Sequence, residues 1–277
     1  MWRVALAVLV VAFLFSSYMV FYTLEAKRPS FRLSVIFPRG GYSPSDNVDA
    51  LLTAIGDGVS SFRGVVDRGG CRVFSYLTEK MGRASAVYCS GEDVANVIAY
   101  VNEAGLPFGR AGINGMDVAQ EIILHLAYAG ERARTGFVIY YSGRAGNLTS
   151  VKVSQLIKGL EVLGSGFELV VDEKGRRIHE LTVYRIYGVD EEMNPPKPSY
   201  EKLYRLLRYI NIQSREFDLR GLIVCGEEAF FIEVEEIALA LTSVDTGDVL
   251  GLYVFDEEGG REVVAPEGCA VDWLGLP

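Results

Sequence analysis

Residues 136–175 read GFVIYYSGRAGNLTSVKVSQLIKGLEVLGSGFELVVDEKG, and the division of this stretch into elements decides the fold. Gly136 to Tyr141 is an apolar run of strand length, rich in β-branched and aromatic residues. Gly143-Arg144-Ala145-Gly146 then opens a segment that closes at Gly164, and a second Gly-Phe run, Gly166 to Val171, follows it. An earlier stretch has the same plan. Gly109-Arg110-Ala111-Gly112 opens a segment closed by Gly130, which leads into Gly136-Phe137. Read as helices alternating with strands, this pattern predicts βαβ units and a mostly parallel, buried sheet.

Towards the amino terminus, Phe31 to Phe37 reads as a strand, and Ser45 or Asp46 caps a helix from Asn47 to Ile55. Cys71 and Cys89 flank two strands around a Lys80-Met81-Gly82 turn. In Gly91 to Asn102, Val94, Val97, Ile98 and Val101 share one face of an expected helix that Gly105 ends. Towards the carboxyl terminus, Ile178 to Tyr187 is a strand and the proline-rich stretch Asp190 to Pro198 a linker. A helix from Tyr200 to Ile210 and strands at Leu219 to Cys225, Ala229 to Val234, Val249 to Phe255 and Glu262 to Val264 complete the chain. The expected fold class is α/β: an anchor at 1–28, a mostly parallel domain at 29–189, a linker at 190–198, and a small α+β or antiparallel extension at 199–277.

Trp2 to Leu24 carries one charge, Arg3. As a helix this segment reaches roughly 34 Å, enough for a hydrocarbon core about 30 Å thick. No small-x-small cleavage site follows it, so it reads as an uncleaved, single-pass transmembrane anchor whose partner is the lipid bilayer. Lys27, Arg28, Arg32 and Arg39 beyond it favour a cytoplasmic domain by the positive-inside rule. The even cysteine count and the sequon Asn147-Leu148-Thr149 favour the opposite side, and an extracytoplasmic domain is the expectation. The four cysteines read either as two disulfides, Cys71 with Cys89 and Cys225 with Cys269, or as four buried thiols.

Across 277 residues the formal charge is -9, which speaks against nucleic acid as a partner. The chain has two histidines, neither a Gly-x-Gly-x-x-Gly nor a lysine-bearing phosphate loop, and neither metal nor cofactor is expected. His125 reads as a core or interface residue and His179 as exposed. The acidic groups at Glu227-Glu228, Glu233 to Glu236 and Asp256 to Glu258 read as solvated turns and strand edges.

The run Tyr140-Tyr141-Ser142-Gly143 resembles the histidine-bearing strand of caspase-like and legumain-like cysteine peptidases, which ends Tyr-Tyr-Ser-Gly-His-Gly. The resemblance extends over about Phe31 to Tyr187, with Ser154 to Gly164 as a second helix. It implies a caspase-like sheet, but Arg144 stands at the position of the histidine and Lys174 at that of the cysteine. Neither replaces a thiolate and its base, so the resemblance implies no catalytic dyad.

Ligands of parallel sheets bind beyond the strands' carboxyl ends. Arg144 and Lys174, with Asp172 and Glu173 beside them, are therefore the candidate site for an anionic ligand or a protein partner. The expected function is a membrane-anchored, non-catalytic binding or scaffold module. The alternatives are a hydrolase with a rearranged site, for instance Cys225 with a histidine, and a structural component of the cell envelope.

Overall fold

A computed structural model describes residues 31–41, 43–89, 94–108, 115–128, 136–172, 174, 176–189, 195–255, 259–267 and 269, with backbone only at 125–128, 141, 142 and 144. Arg32–Pro277 forms one compact unit, and Met1–Phe31 is divided from it. The expected anchor at 2–24 lies outside the described residues. Among the described residues no helix is long and apolar enough to cross a membrane, so the expected spanning helix is no part of the described fold.

The chain alternates little between strand and helix. Among the described residues, strands β1 (Leu33–Phe37), β2 (Val59–Arg68), β3 (Cys71–Thr78), β4 (Arg83–Cys89) and β5 (Val97–Pro107) are interrupted only by helix α1 (Pro44–Ala54). Helix α2 (Gly115–Tyr128) precedes β6 (Gly136–Ala145), β7 (Leu148–Ile157), β8 (Leu160–Asp172), β9 (Arg177–Tyr184) and β10 (Ile186–Val189). After helix α3 (Glu201–Tyr209) come β11 (Asp218–Cys225), β12 (Glu227–Val234), β13 (Ala238–Ser243), β14 (Val249–Val254) and β15 (Arg261–Val264).

The expected mostly parallel, caspase-like α/β sheet is therefore wrong. Thirteen strands form one sheet in the order β15-β14-β13-β12-β11-β8-β9-β5-β4-β3-β2, with β6 and β7 branching from β8, and β1 pairs with β10 separately. Neighbours in the sheet are antiparallel except β11 and β8, which meet in parallel at Leu222 and Val162. Loop length is the cause. Gly146-Asn147 joins β6 to β7 and Lys158-Gly159 joins β7 to β8, turns far too short for a crossover. Lys158 (φ 53°) and Gly159 (φ 84°) adopt the left-handed pair that a tight hairpin needs, so the expected helix between Gly143 and Gly164 is two strands.

Gly91 to Asn102 is corrected in the same way, with β5 starting at Val97. The spacing of Val94, Val97, Ile98 and Val101 is helical, but β-branched side chains suit a strand, and the strand leaves Ile98 and Tyr100 fully buried while Val101 is exposed.

The core lies between the sheet and α1 and α2. Val48, Leu51 and Leu52 of α1 and Val118, Ala119 and Ile122 of α2 pack on a floor that includes Ile98, Tyr100, Val153, Phe167, Leu181 and Val183. Ser43 caps α1 and, with Asp46, closes a capping box. In the carboxyl-terminal half, Ile223, Cys225, Ala229, Phe231 and Leu241 form a second cluster with Leu163 and Leu239. Helix α3 buries Leu203 and Leu207 and takes no part in that cluster. Glu228, itself buried, anchors the start of the unit by accepting from the Leu33 N–H at 2.7 Å and from Arg32 at 2.8 Å.

Candidate functional site: a cleft where the sheet divides

β8 is the hinge of the architecture. One of its edges pairs with β7 throughout, while the other meets β11 at Val162 and β9 from Phe167 onward. The change of neighbour happens across Leu163 to Gly166, which bulge opposite Ser154. Gly164 (φ 70°) and Gly166 (φ 102°) supply the backbone this bend needs. A Cβ on Gly166 would stand 2.0 Å from the Val153 carbonyl oxygen. Behind the bend, the fully buried Gln155 accepts from Ser165 Oγ at 3.1 Å and from the Tyr187 N–H at 2.9 Å, and its amide donates to the Tyr187 carbonyl.

Because the sheet divides there, a cleft of about 920 Å³ opens on the face away from α1 and α2. Alternation along the strands sets its lining. Val151, Val153, Phe167 and Leu169 turn into the helix-covered core, so Lys152 and Glu168, which face one another across β7 and β8, turn the other way. From the carboxyl-terminal half, Phe231, Leu239 and Phe255 give an apolar wall, with Leu163 at the bend. Glu161, Glu168, Glu233 and Glu236 also line the cleft, against the cations Lys152 and Arg220, so four carboxylates face two positive charges.

Arg220 is committed to the protein, paired with Glu233 at 2.6 Å and with Asp218 at 3.2 Å. Among the described residues Glu161, Glu168 and Glu236 have no ion-pair partner, although Glu161 accepts from the Tyr140 hydroxyl at 3.4 Å. Burial, then the nearby Glu168, pushes the Tyr184 hydroxyl up from its ordinary pKa, and burial with Glu161 does the same at Tyr140. Both phenols therefore stay neutral donors at physiological pH.

Glu236 arrives by a strained route. Glu235 (φ 45°) and Glu236 (φ 60°) are consecutive left-handed residues at the tip of the β12–β13 hairpin, closed by the Ile237 N–H to the Val234 carbonyl at 2.8 Å. Gly or Asn ordinarily fills such positions. The Glu235 carboxylate accepts from the N–H groups of Arg215 and Glu216, both at 3.2 Å, and the Ser214 side chain first, then these two amides, lower its pKa from the ordinary carboxylate value.

The residues singled out from the sequence lie elsewhere. Arg144 is on β6 opposite Thr149, and Asp172 ends β8 opposite Leu148. Lys174 is exposed in the β8–β9 turn, where its N–H donates to Asp172 Oδ1 at 3.0 Å. Glu173 lies outside the described residues. Arg144 and Lys174 share one end of the β6–β7–β8 meander, with β7 between their strands, so their backbones stand about 10 Å apart. The cleft is towards the other end of β8.

Cys71 is bonded to Cys89 and Cys225 to Cys269. In that state Cys225 has no thiolate to pair with a histidine. The His125 side chain lies outside the described residues, and His179 is on β9 beside Gly105. Among the described residues, no three His, Cys, Asp or Glu side chains are grouped to hold a metal ion.

Two signals in the sequence mark the cleft. Gly164-Ser165-Gly166 interrupts a strand pattern, the mark of a bulge, and Glu235-Glu236 occupies a hairpin tip where turn residues are expected.

No protein-family model matches the chain, and no curated protein does. Among solved structures it is similar to the Bacillus megaterium YpeB C-terminal domain, at 12% identity over 82% of this chain and 100% of that one, with a TM-score of 0.35.

Proposed function

We propose that this chain is a non-catalytic binding module, held at a lipid bilayer by its apolar segment Trp2 to Leu24, with the described unit outside the cytoplasm. Its cleft takes a short extended peptide segment bearing apolar and basic side chains. The observation that carries this reading is the lining of the cleft. An apolar wall of Leu163, Phe231, Leu239 and Phe255 stands beside three carboxylates, Glu161, Glu168 and Glu236, that have no ion-pair partner among the described residues. Apolar walls give a ligand most of its affinity, and a few placed polar groups fix its orientation. The disulfides support an oxidising compartment.

The test is fluorescence anisotropy of the full chain in detergent with two labelled hexapeptides. They share four leucines and phenylalanines, and differ in carrying two lysines or two glutamates. The lysine peptide is expected to bind at least tenfold more tightly, and Glu168→Lys to abolish the preference. Equal affinities, or a preference that survives Glu168→Lys, contradict the reading.

A further inference from the structure

The sequon Asn147-Leu148-Thr149 falls on the β6–β7 hairpin, where Ala145 pairs with Leu148 and Gly146-Asn147 is the two-residue turn. Gly146 (φ 65°) supplies the positive φ of that turn and Asn147 has none, so the backbone there does not call for asparagine. The Asn147 side chain makes no hydrogen bond among the described residues. The other described asparagines all have a task in the fold. Asn47 donates to the Arg39 carbonyl and to Tyr88, Asn96 accepts from the Cys89 N–H, Asn102 donates to the Lys80 carbonyl, and Asn211 (φ 64°) fills a left-handed position. Asn147 is exposed, a Cβ added at Gly143 or Gly146 would meet nothing within 4 Å, and β6 pairs with β7 alone. The turn therefore has room around it.

Thr149 is the reverse case. Alternation puts it on the face of β7 that carries Val151 and Val153 into the core, and it is 3% exposed. Its hydroxyl is buried and has no hydrogen-bond partner among the described residues. Such a hydroxyl costs stability that valine, of nearly the same shape, would not. The fold uses neither the Asn147 amide nor the Thr149 hydroxyl, and these are the two groups that define an Asn-x-Ser/Thr acceptor.

We propose that Asn147 is an N-glycosylation site. The proposal rests on the reading that the described unit lies outside the cytoplasm, where such acceptors are used. The donor is an oligosaccharide linked through its C1 to a polyprenyl phosphate or pyrophosphate. A bond forms between Asn147 Nδ2 and C1 as the C1–O bond to the phosphate breaks. The lipid phosphate leaves with the electron pair, one amide proton passes to solvent, and nothing is oxidised or reduced. Burial of Thr149 sets the timing. The sugar is added before β7 settles between β6 and β8, because the folded chain seals the hydroxyl that an acceptor presents.

The experiment is mass spectrometry of the full chain isolated from the membranes of its own cells. Trypsin cuts after Arg144 and Lys152 and releases the sequon whole, as residues 145–152. This fragment is expected to carry a sugar on Asn147 in most copies. Thr149→Ser should keep the sugar, and Asn147→Gln and Thr149→Val should each lose it. Mixed with the same membranes, unmodified chain should gain sugar when reduced and unfolded but not when folded. An impermeant amine reagent on intact cells separates two kinds of failure. If exposed Lys158 is labelled while Asn147 is bare, the inference is overturned and the unit still lies outside the cytoplasm. If Lys158 is labelled only after lysis and Asn147 is bare, both are overturned. A sugar that survives Thr149→Val, or one added to the folded chain, also contradicts the inference.

Discussion

Glu236 lines the cleft from a left-handed backbone position that costs a non-glycine residue about 1 kcal/mol. A protein selected for stability alone gains by placing glycine or asparagine there, so the glutamate makes sense as a contact to something in the cleft. Opposite effects on stability and on binding follow. Glu236→Gly is expected to raise the thermal midpoint by a few degrees, about what 1 kcal/mol yields in a domain of this size, while weakening the lysine peptide several-fold. A variant both less stable and unchanged in binding would show that the side chain serves only the turn. Glu235 is different, because its bonds to the Arg215 and Glu216 amides give it a structural task.

At the scale of elements, β8 matters most, since it alone belongs to both halves of the sheet. Its bend depends on Gly166, where any side chain would meet the Val153 carbonyl, a backbone group that cannot step aside cheaply. Gly166→Ala is expected to destabilise the protein by about 2–4 kcal/mol in urea unfolding, and a loss below about 0.5 kcal/mol would mean that the division of the sheet does not rest on this residue. The same region shows how far the sequence could be read. Strands at Gly136, Gly166 and Ile178, and those after Leu219, announce themselves by β-branched and aromatic runs bounded by glycine. What periodicity did not reveal was the state of Asn147 to Leu163. Val153, Leu156, Ile157 and Leu160 recur at the i, i+3, i+4, i+7 spacing of a helical face, and the deciding feature, a Lys158-Gly159 hairpin turn, is carried by two residues that the periodicity passes over. Once that hairpin is taken for a helix, β6 and β8 become neighbours. In the structure they run the same way but are separated by β7, so the parallel α/β reading and the crevice between Arg144 and Lys174 rested on the same error of period. The cleft was hidden for a further reason. Lys152, Glu168, Arg220 and Glu236 come from four strands or turns, and only the strand order brings them together.

For the molecule as a whole, the helix-covered core sets how stability responds to pH. Tyr100 is fully buried; its hydroxyl donates to Asp57 Oδ2 at 3.2 Å and accepts from Asn102 at 3.1 Å. Burial, reinforced by the Asp57 charge, pushes its pKa up to about 12 from the ordinary 10.0. A raised pKa means that the folded state holds its proton longer than the unfolded state. Stability from this site is therefore fully present below about pH 10 and is lost as the pH climbs towards 12. Urea midpoints should fall across that window in the wild type and fall less steeply in Tyr100→Phe; identical slopes would remove Tyr100 as the cause. The opposite face carries the apolar wall and the three carboxylates, Glu161, Glu168 and Glu236, that have no ion-pair partner among the described residues. The most direct measurement is a titration of the isotope-labelled full chain with the lysine hexapeptide, followed by amide chemical shifts. Saturable shifts confined to Lys152–Ser154, Glu161–Glu168, Arg220, Glu233–Leu239 and Phe255 are expected. Saturable shifts centred instead on Arg144 and Lys174, or no shifts at all, would contradict it.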